Sequence, residues 1–402
     1  MNEKDMRVME VQNEIDLEIQ ENLDDIKGNI KVNTQILVNP SDWTVETILS
    51  LLRNGRININ PAFQRRSAWD VYRKSAFIES ILLNYPLPQI ILAEDKESKK
   101  FIVVDGKQRL LTLLQFSETQ TNPTNQDQVY ERFKLRNLER LKELEGKFYT
   151  DIQDDLDLQS YASNFNDFTI RTIVLKQWDN DALYDMFLRI NQGSVVLSPQ
   201  ELRQALFPGD FTTFIEQESS SSKAIRQIYD TDAPDPRMRD AELLLRFFAV
   251  KNRLGVNYNG DLKDLLDGTS KYFNENWDNE NNKLKQQLSD FEEGYSFALS
   301  AFGKEMFPFY RFDNDTQIRR FNRAIFDFIM YYFSNPDIVK TIKNTHNHQE
   351  LLQNEFKNLF KDNDLSSAVI SSTKSKWAFS KRLSKWAEAL SRITNTQIGS
   401  PL

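Results

Sequence analysis

The chain has 402 residues, 40% of them hydrophobic and 12% aromatic, with a formal net charge of −8 and no cysteine. That composition supports real cores and excludes wholesale disorder, and the missing thiols exclude disulfides, thiolate metal sites and cysteine nucleophiles. No apolar run is long enough to span a bilayer and the N-terminus is acidic, so a cytoplasmic protein with neither signal peptide nor membrane contact is expected.

Residues 1–35 read as an acidic arm, with nine Asp/Glu against three Lys/Arg between Met1 and Ile30. A helix is expected to begin near Ser41-Asp42-Trp43, with Val45, Ile48, Leu51 and Leu52 on one face and Asn54-Gly55 as its stop. Residues 57–60 alternate as a short strand and lead into Pro61-Ala-Phe63-Gln64-Arg65-Arg66. Trp69-Asp70 opens a second helix whose buried stripe is Phe77, Ile78, Ile81 and Leu82. The prolines of Tyr85-Pro86-Leu87-Pro88 end it. Residues 89–93 and 101–104 read as the two strands of a hairpin. Residues 117–165 are polar, an insertion of mixed structure, and 168–175 form another strand.

The most informative stretch is Phe101-Ile-Val-Val-Asp105-Gly106-Lys107-Gln108-Arg109, followed by an apolar helical pattern through Phe116. It reads as strand, tight turn, helix, with Leu110, Leu111, Leu113, Leu114 and Phe116 forming the apolar stripe. Gln108, Thr112 and Gln115 lie opposite that stripe, and Arg109 lies on its flank. Free N–H groups at a helix start attract anions, and a guanidinium adds bidentate phosphate geometry. The plainer alternative is an ordinary strand-to-helix turn whose Arg is a surface charge.

From Asp179 a helix carries Leu183, Met186, Phe187 and Ile190 on one face and is stopped by Asn191-Gln192-Gly193. Ser198-Pro199-Gln200-Glu201 then reads as a capping box with Pro at the first helical position, stapled by Leu197 and Leu202. Local capping explains Ser198 and Glu201, but not Arg189 and Asn191 beside the loop. After 236 the pattern is helical, and strands are not expected beyond about residue 180. The last 32 residues carry six Lys/Arg and one Glu, and their helix is expected to dock through Phe379, Leu383, Trp386 and Leu390 with a solvated basic face.

Walker A, Rossmann and G-x-S-x-G motifs are missing. The only histidines are His346 and His348, a pair in one polar segment that reads as surface rather than as a metal site.

Four segments together resemble the N-terminal domain family of GmrSD-type modification-dependent restriction endonucleases. They are Pro61-Ala-Phe-Gln64-Arg65 with Trp69; Phe77-Ile-Glu79-Ser80 with Pro86-Leu-Pro88; Asp105-Gly-Lys-Gln108-Arg109; and Phe187-Leu-Arg189-Ile-Asn191-Gln-Gly193 leading to Leu197-Ser-Pro-Gln-Glu201-Leu-Arg203. The resemblance implies a small mixed, ParB/sulfiredoxin-like sheet with helices over 36–235; with the helical pattern that follows, the expected fold is α+β ending in an all-helical domain over 236–402. The resemblance also implies binding of a nucleoside triphosphate (GTP or ATP) with Mg²⁺, and hydrolysis that regulates an attached nuclease. Lys107 stands where the family hallmark has Gln, which bears on phosphate binding or on hydrolysis. On this reading Asp105, Gln64 and Gln108 are catalytic and Asp105 holds the metal. Arg65, Gly106, Lys107, Arg109, Arg189 and Asn191 bind the nucleotide, the last two as a second wall. No nuclease domain is visible, so the expected role is a sensor or regulator in a bacterial defence or DNA-processing system. The competing class is a DNA-binding or protein-interaction module without turnover. DNA, an effector protein and a second copy of the chain all stay open as partners.

Overall fold

A computed structural model describes residues 36–57, 59, 69–118, 131–190, 198–252, 262–303, 306–313, 316–370 and 375–401. The chain divides into two compact units, the described residues from 36 to 206 with 236–238, and Phe207–Asp235 with Arg239–Leu402. The main stretch of the first unit runs to Leu206, and residues 236–238 return to it.

In the first unit β1 (Leu37–Thr44), β2 (Ile90–Glu94), β3 (Phe101–Asp105) and β4 (Thr169–Lys176) form one mixed sheet in the order β1-β4-β2-β3. β1 runs antiparallel to β4, β2 runs parallel to β4, and β2–β3 is the expected antiparallel hairpin. Strand β1 replaces the helix start expected at 41–43. The helix α1 (Val45–Arg53) begins one step later, with the Thr44 hydroxyl accepting from the Thr47 N–H at 3.2 Å. Leu37 and Val38 are exposed, so β1 has no apolar alternation to betray it; pairing with β4 makes it a strand. Its Pro40 is tolerated because β1 is an edge. The strand expected at 57–60 reduces, in the described residues, to one bridge from Ile57 to Phe101.

One sheet face buries Ile91, Ala93, Val104 and Leu175 against Leu183 of α6 (Asn180–Ile190). Helix α2 (Val71–Leu82) starts where expected, its first turn capped by Asp70. Helix α3 (Lys107–Phe116) packs against both α1 and α2. It is buried on nearly every side: Thr112 and Gln115, which lie opposite the apolar stripe, are 0% and 3% exposed. The insertion is ordered over its described part by α4 (Tyr149–Asp154), α5 (Gln159–Asp167) and the Glu79 carboxylate, which accepts the backbone N–H of Glu139, Arg140 and Leu141. A short helix α7 (Pro199–Leu206) completes the unit.

The second unit is helical, as expected: α8 (Asp210–Ser221), α9 (Lys223–Ile228), α10 (Arg239–Lys251), α11 (Leu262–Glu275), α12 (Trp277–Phe302), α13 (Arg323–Phe333), α14 (Pro336–Lys343), α15 (His348–Leu359), α16 (Asn363–Ile370) and α17 (Lys376–Thr394). A two-stranded ribbon, β5 (Arg311–Asp313) with β6 (Thr316–Ile318), is added between α12 and α13. Trp386 of α17 lies at the centre of an aromatic cluster with Phe328, Phe333 and Phe356. Arg246 of α10 forks onto Asp327 of α13 with two 2.6 Å bonds. The basic face of α17 is largely neutralised within the unit: Lys381 pairs with Asp364, Lys385 with Asp362 and Arg392 with Glu355.

Candidate functional site

The turn between β3 and α3 is built by Gly106, whose φ of +99° lies in the left-handed region. A side chain there would be strained, and its Cβ would stand 3.0 Å from Ile90 Cγ1. Glycine is therefore required twice over, by conformation and by space. As N-cap of α3, Gly106 offers no side-chain oxygen to the N–H groups of the first turn.

Arg109 and Asp105 bracket the turn. The Arg109 guanidinium is 9% exposed; it donates to the carbonyls of Pro88 and Gln89 (3.0 Å to the latter) and to Asp105 Oδ2 at 2.7 Å. It is thus neither the surface charge of the plain reading nor an uncommitted fork. It ties the chain entering β2 to the end of β3. Gln108 is the half-exposed residue of α3, between two buried cations.

Lys107 points inward, 7% exposed, and its ammonium meets Glu201 Oε1 of α7 at 2.5 Å. Glu201 is 4% exposed, and its other oxygen accepts the Ser198 N–H at 2.6 Å while Ser198 Oγ accepts the Glu201 N–H at 3.1 Å. The capping box read from the sequence is therefore formed, and the same glutamate also neutralises a lysine 94 positions away. Helix α7 has a polar sequence yet is buried at Gln200, Glu201, Leu202, Arg203 and Gln204, with Arg203 bonding Gln200 at 2.5 Å. Polar side chains are seldom buried without cause, because each must recover its lost hydration. Spacing within the chain marked Glu201 as a cap; its reach to Lys107 carried no local signal.

Other expected site residues fall differently. Arg189 is on the surface of α6, three-quarters exposed, and bonds Asp185 at 2.8 Å within its own helix. Gln64, Arg65, Asn191 and Leu197 lie outside the described residues. His348 bonds the Thr345 carbonyl at 3.2 Å and stacks on Phe297. The described residues hold no group of three or more His, Asp or Glu side chains placed for a metal ion. No helix among them is long and apolar enough to cross a membrane.

Residues 45–208 match the model of one family, described as the GmrSD restriction endonuclease, N-terminal domain. This segment belongs to that family. The match begins at the first residue of α1 and takes in the β3–α3 turn and α7. No curated protein and no solved structure matches the chain.

Proposed function

We propose that the first unit of this GmrSD N-terminal domain protein binds a nucleoside triphosphate at the β3–α3 turn, and that it hydrolyses it slowly as a sensor or regulator without a nuclease of its own. The observation that supports this best is the buried charge cluster at the start of α3: a glycine cradle, Lys107 and Glu201 2.5 Å apart, and a polar helix packed around them. A phosphate would sit on the first-turn N–H groups of α3, where the helix dipole favours negative charge. Lys107 would supply the compact cation, and Gln108 the group best placed to contact the nucleotide or a water near it. Gln64 and Arg65 belong to the same reading through the family resemblance alone.

Mg²⁺ fits as an ion brought in with the triphosphate, since Mg²⁺ is commonly held by one or two carboxylates together with substrate phosphates and water. Asp105 is the carboxylate at the turn, with one oxygen engaged by Arg109 and its side chain 20% exposed. The ion would neutralise phosphate charge.

Titration of ATP and GTP into the full chain, with and without Mg²⁺, tests the proposal. Saturable Mg²⁺-dependent binding that Gln108→Ala weakens at unchanged melting temperature is the expected result. The alternative, a DNA-binding module without turnover, predicts no nucleotide binding and a DNA affinity that falls steeply with salt.

A further inference from the structure

The Lys107–Glu201 pair has a consequence for how the turn is occupied, and it rests on the nucleotide reading above. A buried ammonium needs a compensating anion, and here the protein supplies its own: Glu201 Oε1 at 2.5 Å, with both side chains less than a tenth exposed. A phosphate arriving at the start of α3 would bring a second, stronger anion to the same cation. One ammonium cannot serve two buried anions at full strength, and two anions crowded together repel. Glu201 cannot move alone, because its other oxygen holds the Ser198 N–H and so the first turn of α7.

We infer that Glu201 is an internal competitor for the ligand's phosphate: its carboxylate holds Lys107 when no nucleotide is bound, and a phosphate entering the turn takes Lys107 over from it. Binding is then weakened by the displacement, and occupancy is transmitted to α7 through its N-terminal cap. Helix α7 becomes the element that distinguishes the loaded from the unloaded unit. Helix α7 meets the turn through Glu201, whereas Arg189 bonds Asp185 within its own helix.

The test uses the full chain and isothermal titration with Mg²⁺-ATP, Mg²⁺-GTP and Mg²⁺-pyrophosphate. Glu201→Gln removes the competing charge and keeps the capping box, which glutamine also closes. It should bind at least tenfold more tightly than the wild type, and Glu201→Gln combined with Lys107→Gln should lose the gain. Should Glu201→Gln not fold, Glu201→Asp keeps the charge one methylene short of Lys107 and should tighten binding in the same direction. Tight binding by the variant alone, with the wild type silent, supports the inference. Equal or weaker binding by a folded variant, with the wild type binding, overturns the competition and leaves the nucleotide reading standing. Absence of binding in every form overturns both.

Discussion

Arg109 shows how much of the turn depends on one side chain. Its guanidinium satisfies two carbonyls before β2 and the carboxylate that ends β3, all from a nearly closed position. Removing it leaves those acceptors stranded, and breaking a buried, hydrogen-bonded ion pair typically costs about 3–5 kcal/mol. Arg109→Ala is therefore expected to lower stability by about 3 kcal/mol in urea unfolding, whatever it does to ligand binding. A variant that melts like the wild type would contradict this role. Glu79 is a second such anchor, 6% exposed under the insertion. Burial alone would push its carboxyl up, but the N–H groups of Leu141, Glu139 and Arg140, with the charge of Lys142, outweigh burial and hold it below its ordinary value of 4.5. The ionised form is thus favoured by folding. Its contribution is complete above pH 4.5 and is lost as pH falls through the lowered native value. Glu79→Gln should flatten the acid limb of the stability curve below that pH, while Glu79→Ala should cost about 2–3 kcal/mol at neutral pH.

At the scale of elements, close approach is what the second unit could least well announce. Gly294 lies within α12, where a glycine weakens a helix unless something requires it. A Cβ there would stand 2.6 Å from the Phe333 carbonyl oxygen at the end of α13. Gly294→Ala gains helix propensity but must push two packed helices apart, and overpacking of this kind costs about 1–3 kcal/mol. Calorimetry should show a net loss of stability. Elements whose signals are local were legible in the sequence: the Gly106 turn, the Asp70 start of α2, the β2–β3 hairpin and the Ser198–Glu201 cap. Those defined by distant partners were not. Strand β1 presents exposed Leu37 and Val38 and a proline, so only its ladder with β4 makes it a strand. Helix α3 carries Thr112 and Gln115 opposite its apolar stripe, yet both are buried in a helix packed against α1 and α2. The pairs Lys107–Glu201 and Arg246–Asp327 span 94 and 81 positions. No periodicity encodes a contact at that separation.

On the scale of the whole molecule, the family match and the helical unit occupy different stretches of the chain. The family match ends at 208, two residues beyond the main stretch of the first unit. The charge clusters of the two units also serve different ends. Arg246, Asp327 and the cations of α17 are absorbed into the packing of the helical unit. In the first unit, Lys107 and Glu201 meet where a glycine leaves the start of a helix without a side-chain cap. The acidic excess of the chain disfavours a broad nucleic-acid surface, which places the weight of the account on that one turn. Hydrogen–deuterium exchange of the full chain with and without saturating Mg²⁺-ATP and Mg²⁺-GTP tests it most directly. The account predicts slower exchange in the peptide covering Asp105 to Thr112, together with faster exchange at Ser198 to Glu201 as the cap gives way. Nucleotide-dependent protection confined to other peptides, with residues 105–112 unchanged, would contradict it.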